Sequence, residues 1–272
     1  MHSFSLSPMA MFISFWQHRQ LILTLIKRDV AGRYRGSIFG LLWSLFSPVF
    51  MLVVYTFVFS VVFKARWGTE DGSRVVFALV LFAGLLIFNL FADCINRAPN
   101  LIVENTNYVK KVIFPLEILA WVTLGAALFH ALVSFAVWLV FSSIFVGAPP
   151  VTIFLFPLIV VPLILFIMGL SWILASLGVF LRDIAQFVGI LTMTLMFLTP
   201  IFYPLEAIPT KYHKFILLNP LAVFVEQSRA VMIFGDTIDW RIYPALTGAS
   251  FMFAWLGFVW FQKTRKGFAD VL

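Results

Sequence analysis

No charged residue lies between Arg35 and Lys64, and Lys27, Arg28, Arg33 and Arg35 crowd the start of that gap. A helix needs roughly 20 mostly apolar residues to cross the hydrocarbon of a bilayer. This run, about 38–63, exceeds that length, and five more follow at about 75–95, 116–146, 152–180, 184–203 and 242–261. None alternates with the period of two that a barrel strand shows over about ten residues. Charged residues make up 11% of the chain and hydrophobic ones 62%, whereas soluble domains are about a quarter charged. Too little polar surface exists here to coat a water-soluble fold. The expected fold class is an all-α membrane protein with six transmembrane helices, a single transmembrane domain over residues 1–272.

Lys and Arg in the loops set the orientation. With the N-terminus cytoplasmic, seven of the 19 basic residues fall outside: Lys64, Arg66, Arg74, Lys211, Lys214, Arg229 and Arg241. The other twelve fall inside, and the 12 acids divide evenly. Both termini are therefore expected in the cytoplasm. The net charge of +7 is explained by topology and calls for no nucleic-acid partner. The N-terminus has no basic start, apolar core and small-residue cleavage site of a secretory signal.

Three segments do not span. In residues 1–36, Phe12, Phe15, Trp16, Leu23, Ile26 and Val30 fall near one helical face, as in an amphipathic helix lying in the cytoplasmic interface. Gly32 and Gly36 permit the turn into the first span. Residues 96–117 are too polar to span. Pro99 suits a first helical turn, so a short helix is expected at about 99–107, either projecting toward a cytoplasmic partner or resting on headgroups. Residues 204–235 contain Pro220 near the start of an apolar stretch and Glu226 and Arg229 in its second half. They read as two short helices broken at Asn219–Pro220 and re-entering the outer leaflet, with an ordinary amphipathic surface loop as the alternative. Such backbone is tolerated only where it packs on protein or lines a wet cavity.

Catalytic chemistry is not legible. One cysteine, Cys94, and four scattered histidines give no metal-ligand spacing. No phosphate-cradling Gly-Lys-Ser/Thr loop occurs. The polar residues within or at the ends of the spans are Asn89, Asp93, Glu117, His130, Arg182, Asp183 and Gln186. His130, near the middle of the third span, is a functional candidate by position. A neutral histidine also hydrogen-bonds across helices, and both readings stand.

Three blocks of residues are familiar. The first is Arg33-Tyr34-Arg35-Gly36-Ser37 with Gly40, Leu42-Trp43 and Pro48. The second is Asn100, Leu101, Ile102, Lys110, Lys111, Phe114, Pro115 and Glu117. The third is Arg182-Asp183-Ile184 with Pro200-Ile201, Tyr203-Pro204, Pro209, Asn219-Pro220 and Arg229. Spread in order over almost the whole chain, they resemble membrane subunits of ABC exporters for polysaccharides and polyol phosphates. The likeness is strongest to O-antigen exporters, with capsule and teichoic-acid exporters as neighbours. Phe39 stands where a leucine is expected and Ala120 where a second proline is common, which puts a local bend in doubt.

The resemblance implies a homodimer joined to two cytoplasmic ABC ATPase subunits, which would bind the ATP and magnesium. This chain would carry no catalytic residue, cofactor or metal. Asn100, Leu101, Glu104, Asn105 and Tyr108 would couple to the ATPase. Arg28, Arg33, Tyr34 and Arg35 would meet the lipid headgroup by charge-assisted hydrogen bonds, though such cations also set topology. Trp43, Phe202, Tyr203, Pro204, Asn219, Pro220, Glu226 and Arg229 would form the channel and an external gate over 204–235. The cargo would be an undecaprenyl-diphosphate-linked polysaccharide moved across a bacterial inner membrane. Export of capsular polysaccharide, teichoic acid or small hydrophobic molecules is the alternative. An enzyme acting on polyprenyl-phosphate lipids lacks its acidic cluster, and a secondary transporter lacks paired carboxylates and inverted repeats.

Overall fold

The structure is a computed structural model that describes residues 6–58, 74–110 and 114–272. The expected end of the first span after residue 58, with Lys64, Arg66 and Lys111, lies outside the described residues. Every regular element among the described residues is helical. Four helices are long and apolar enough to cross a membrane: Val75–Asn100, Ile118–Phe145, Val151–Phe180 and Tyr243–Val271. A bent pair, Thr210–Leu217 with Pro220–Phe234, meets the same test as one broken unit.

The N-terminal segment forms two helices, α1 (Pro8–Gln17) and α2 (Arg19–Arg33), separated at His18. Ser7 caps α1 by accepting from the Met9 amide at 3.2 Å, with Pro8 in the first turn. The buried face of α2 is Ile22, Leu25 and Val30, while Trp16 and Leu23, expected on the apolar face, are exposed. The reason is packing: Ile22 and Leu25 close on Ile118 and Val122. A side chain at Gly125 would strike Ile26. So α2 rests against protein along this face.

The first apolar run becomes α3 (Leu42–Phe57). Its start is later than expected because Gly36 and Gly40 take left-handed conformations, φ 84° and 50°. After α4 (Arg74–Arg97) the chain makes 3-10 turns at Ala98–Asn100 and Val103–Asn105, then the one-turn α5 (Thr106–Val109). The continuous helix expected over 99–107 is therefore a series of turns. The Asn105 side chain donates to the Leu101 carbonyl at 2.9 Å, competing with helical bonding there. Leu101 and Ile102 turn inward and are buried.

Next come α6 (Ile118–Phe145), α7 (Phe156–Phe180) and α8 (Ile184–Leu198). At about 1.5 Å per residue, α8 is shorter than the roughly 30 Å of hydrocarbon. It stops short of the expected residue 203 because Thr199, which precedes Pro200, is extended, φ −85° and ψ 136°. Then follow α9 (Thr210–Leu217), α10 (Pro220–Arg229) with a π turn at Ala230–Phe234, α11 (Tyr243–Thr264) and α12 (Phe268–Val271).

The most buried helix is α4, wrapped by α6, α10, α7 and α8. The longest pairing is α7 against α11. Gly169 lets them approach, since a Cβ there would sit 2.7 Å from the Phe253 carbonyl oxygen. Pro162 has no amide to offer the Leu158 carbonyl, and the Tyr243 hydroxyl donates to that carbonyl at 3.1 Å. Near the expected cytoplasmic end, Glu117 gathers four parts of the chain. Its carboxylate accepts from Arg265 at 2.7 Å and from Ser14 at 3.0 Å, and its carbonyl accepts from the Trp172 indole at 3.1 Å.

Candidate functional site

Polar side chains in an apolar bundle must find partners or line water. Here they gather in one cavity of about 370 Å³ between α3, α4, α6 and the end of α2. Each helix supplies residues at helical spacing. From α4 come Asn89 and Asp93, four apart; from α6, His130 and Ser134, four apart; from α3, Ser44, Ser47 and Tyr55. Asn89 is exposed within a helix whose residues 77–88 are all buried, so it faces this opening. Pro48, on the cavity wall, leaves the Ser44 carbonyl without its helical donor.

The centre of the site is an ion pair. One Arg33 nitrogen lies 2.8 and 2.9 Å from the two Asp93 carboxylate oxygens, and both side chains are a little over a quarter exposed. Next to it the Tyr34 hydroxyl lies 3.3 Å from His130 Nδ1. Burial pushes the Tyr34 phenol above its ordinary value, against the opposing effect of Arg33, so at neutral pH it keeps its proton. The contact fits either tautomer: the phenol donates to Nδ1 when the ring proton is on Nε2 and accepts when it is on Nδ1. That Nε2 is buried and has no hydrogen-bond partner among the described residues.

Other expected site residues lie elsewhere. Arg28 donates to the Tyr108 hydroxyl through both terminal nitrogens at 3.2 Å, and the Tyr108 ring stacks on Phe114 at 4.1 Å. One residue on, Asp29 accepts two bonds from Arg97 at 2.8 and 3.0 Å. Thus α2 touches the 100–110 segment at Arg28, the end of α4 at Asp29, and the cavity at Arg33 and Tyr34. Lys27 and Arg35 are exposed, with no ion pair among the described residues. Asn100 and Glu104 are exposed, Leu101 is buried, and Asn105 and Tyr108 are half-buried.

Trp43 stands outside the cavity, on a face of α3 with Phe39 and Phe46, edge-on to both at 5.6 and 5.2 Å. Past α8, the Tyr203 hydroxyl donates to the Phe197 carbonyl at 2.8 Å and Phe202 lies 5.8 Å from Phe197. Pro204 is half-buried beside them. Asn219 caps α10 by accepting from the Leu221 amide at 3.0 Å and donates to Thr199 at 2.9 Å, and Pro220 takes the first turn. Here α9 and the α10 segment bend by 102°.

Expected at the gate, Arg229 is 0% exposed. It donates to the carbonyls of Val80, Pro200 and Ile201 at 3.1, 2.5 and 2.6 Å and to Glu226 at 2.9 Å. It therefore ties α10 to α4 and to the end of α8. A Cβ at Gly84 would come within 3.0 Å of its terminal nitrogen, so glycine there gives the guanidinium its room. Asn89, Asp93 and His130 were individually visible as polar residues in apolar runs, while Ser134 was not singled out. Their i, i+4 pairing on α4 and α6 is the signal that groups them, and sequence reasoning did not use it.

A family model described as "ABC-2 type transporter" matches residues 20–233. The chain is 27% identical over 257 residues to the "O-antigen export system permease protein RfbA" of Myxococcus xanthus, covering 94% of this chain and 96% of that protein. It is 26% identical over 253 residues to a Klebsiella pneumoniae protein of the same description, covering 93% and 95%. The "Polysialic acid transport protein KpsM" of Escherichia coli is 25% identical over 216 residues, 78% of this chain and 80% of that one.

Proposed function

The chain belongs to the ABC-2 type transporter family, and we propose that it is the transmembrane subunit of an ATP-driven exporter of lipid-linked polysaccharide of the O-antigen kind. The observation that carries this reading is end-to-end similarity to proteins described as O-antigen export permeases. Export of capsular polysaccharide is the second reading, favoured by the similarity to a polysialic acid transport protein. In the proposed assembly two copies pair with two cytoplasmic ATPase subunits, which hold ATP and magnesium. Each copy contributes six membrane crossings, α3 and α8 completing the count alongside the four long helices.

The turns from Ala98 to Val109 are the proposed docking segment for the ATPase, with Asn100 and Glu104 outward and Leu101 seated in the protein. The bent pair α9–α10 is the proposed external gate, and Arg229 is its anchor. Lys27 and Arg35 are the cations free to meet a diphosphate at the inner leaflet, flanking Arg28 and Arg33, which are already engaged by Tyr108 and Asp93.

Deleting the gene from the bacterium that carries it is expected to remove polysaccharide from the cell surface and leave the lipid-linked polymer inside. A plasmid copy together with the ATPase restores the surface polymer. Unchanged surface polysaccharide in the deletion strain overturns the reading.

The proposed inward placement of the docking segment has its own test. Cys94 is the sole cysteine and is buried, so Asn100→Cys can be labelled on a silent background. A membrane-impermeant maleimide is expected to react in inverted vesicles and not in intact cells. Labelling from outside intact cells reverses the proposed topology.

A further inference from the structure

We propose that the α3–α4–α6 cavity binds a neutral, polyhydroxylated ring, one sugar unit of the exported polymer, and not the diphosphate that anchors it. This rests on the export reading. The argument starts from charge. A site for a diphosphate presents cations in excess, because the ligand brings several negative charges. In this cavity the one guanidinium, Arg33, is already matched by Asp93, with both carboxylate oxygens within 2.9 Å. An incoming diphosphate would have to displace Asp93 and leave that carboxylate unpaired beside it.

What the cavity offers instead is a mixture of donors and acceptors with no net charge. Asn89 has an amide that both donates and accepts, and it is exposed at the opening. Ser47 of α3 and Ser134 of α6 line the same cavity with hydroxyls that serve either way. His130 has a ring nitrogen with no partner among the described residues, and a buried polar atom left unpaired is costly until something satisfies it. Adjacent hydroxyls of a sugar alternate between donating and accepting, so this chemistry suits them. Phe82 and Tyr55 supply ring surfaces on the wall, suited to the apolar C–H side of a sugar. At about 370 Å³ the volume lies at the small-ligand end of binding cavities, enough for a unit of the chain and not for its polyprenyl tail. The neighbouring hollow between α6 and α7, about 600 Å³, is apolar throughout its lining and offers hydroxyls nothing.

The test uses full-length chain in nanodiscs. One probe is oligosaccharide released by mild acid from the producing strain's own surface polysaccharide. The other is undecaprenyl diphosphate without sugar. Wild-type protein is expected to bind the oligosaccharide, and Asn89→Leu to weaken it about tenfold, the equivalent of one lost hydrogen bond. Binding of undecaprenyl diphosphate is expected to stay within a factor of two. Ser134→Ala, a smaller change, is expected to weaken the oligosaccharide in the same direction should Asn89→Leu fail to fold. No oligosaccharide binding by wild type, or binding by both variants equal to that of wild type, overturns the proposal. So does a loss confined to undecaprenyl diphosphate, which returns the cavity to the headgroup. The deletion experiment decides the export reading separately: surface polysaccharide lost on deletion with oligosaccharide binding absent sinks the cavity assignment alone.

Discussion

Replacing Arg229 with leucine is expected to destabilise the protein by about 3–5 kcal/mol, the usual cost of removing one partner from a buried charged network. The arginine is fully buried, and its guanidinium serves Val80, Pro200, Ile201 and Glu226 together. Leucine of similar bulk would fill the space and leave those three carbonyls and one carboxylate short of a donor. Arg229→Lys keeps the charge but not the planar fork, and a single ammonium cannot reach acceptors on three elements at once. It is expected to fall between wild type and leucine. The measurement is the thermal midpoint of purified protein in detergent. A midpoint for Arg229→Leu within a degree of wild type would show that the network contributes nothing.

Gly178→Leu is expected to abolish export. A Cβ at Gly178 would meet the carbonyl oxygen of Pro99, and its backbone on either side. The obstacle is main chain, so no rotamer change relieves it, and overpacking of this kind costs about 1–3 kcal/mol or more. The cheapest adjustment moves the Ala98–Asn100 turn off α7, and with it the residues proposed to meet the ATPase. Two readouts separate the outcomes. Surface polysaccharide should fall at least tenfold, and co-purification of the ATPase with the variant should fall with it. Normal export from Gly178→Leu would mean the close approach of α7 and Pro99 carries no function. Gly84→Val acts on the other contact, pressing on the Arg229 guanidinium.

That the described residues are all helical was legible from apolar runs too long and too even for barrel strands, since in lipid the backbone of such a run bonds within itself. The break at Asn219–Pro220 was legible for a local reason as well: Asn219 caps and Pro220 begins α10, and both act on their immediate neighbours. Lengths near helix ends were not. The end of α8 at Leu198 turns on one extended residue before Pro200, and the 99–107 segment breaks up because Asn105 bonds back to Leu101 while Leu101 and Ile102 are drawn into the core. Within the site, Arg33 stood out in a basic cluster and Tyr34 in the first block of the resemblance, but their partners did not. Asp93 is 60 residues from Arg33, and His130 is 96 residues from Tyr34. Such pairings depend on which helices become neighbours, and no local pattern records that. Arg229, placed at the gate by the resemblance, binds three main-chain carbonyls and a carboxylate drawn from three separate stretches of chain, and no local pattern records the carbonyls either.

A single short rod, α2, grips the turns near Tyr108 with Arg28 and the cavity with Arg33, about 8 Å further along its axis, and Tyr34 follows directly. Helices of this length scarcely stretch, so the two grips cannot be adjusted independently. In the proposed assembly a displacement of Tyr108 carried through α2 would reach His130, and such a coupling of binding free energies would be reciprocal. In that assembly cargo beside His130 and the ATPase near Tyr108 would press on opposite ends of one lever.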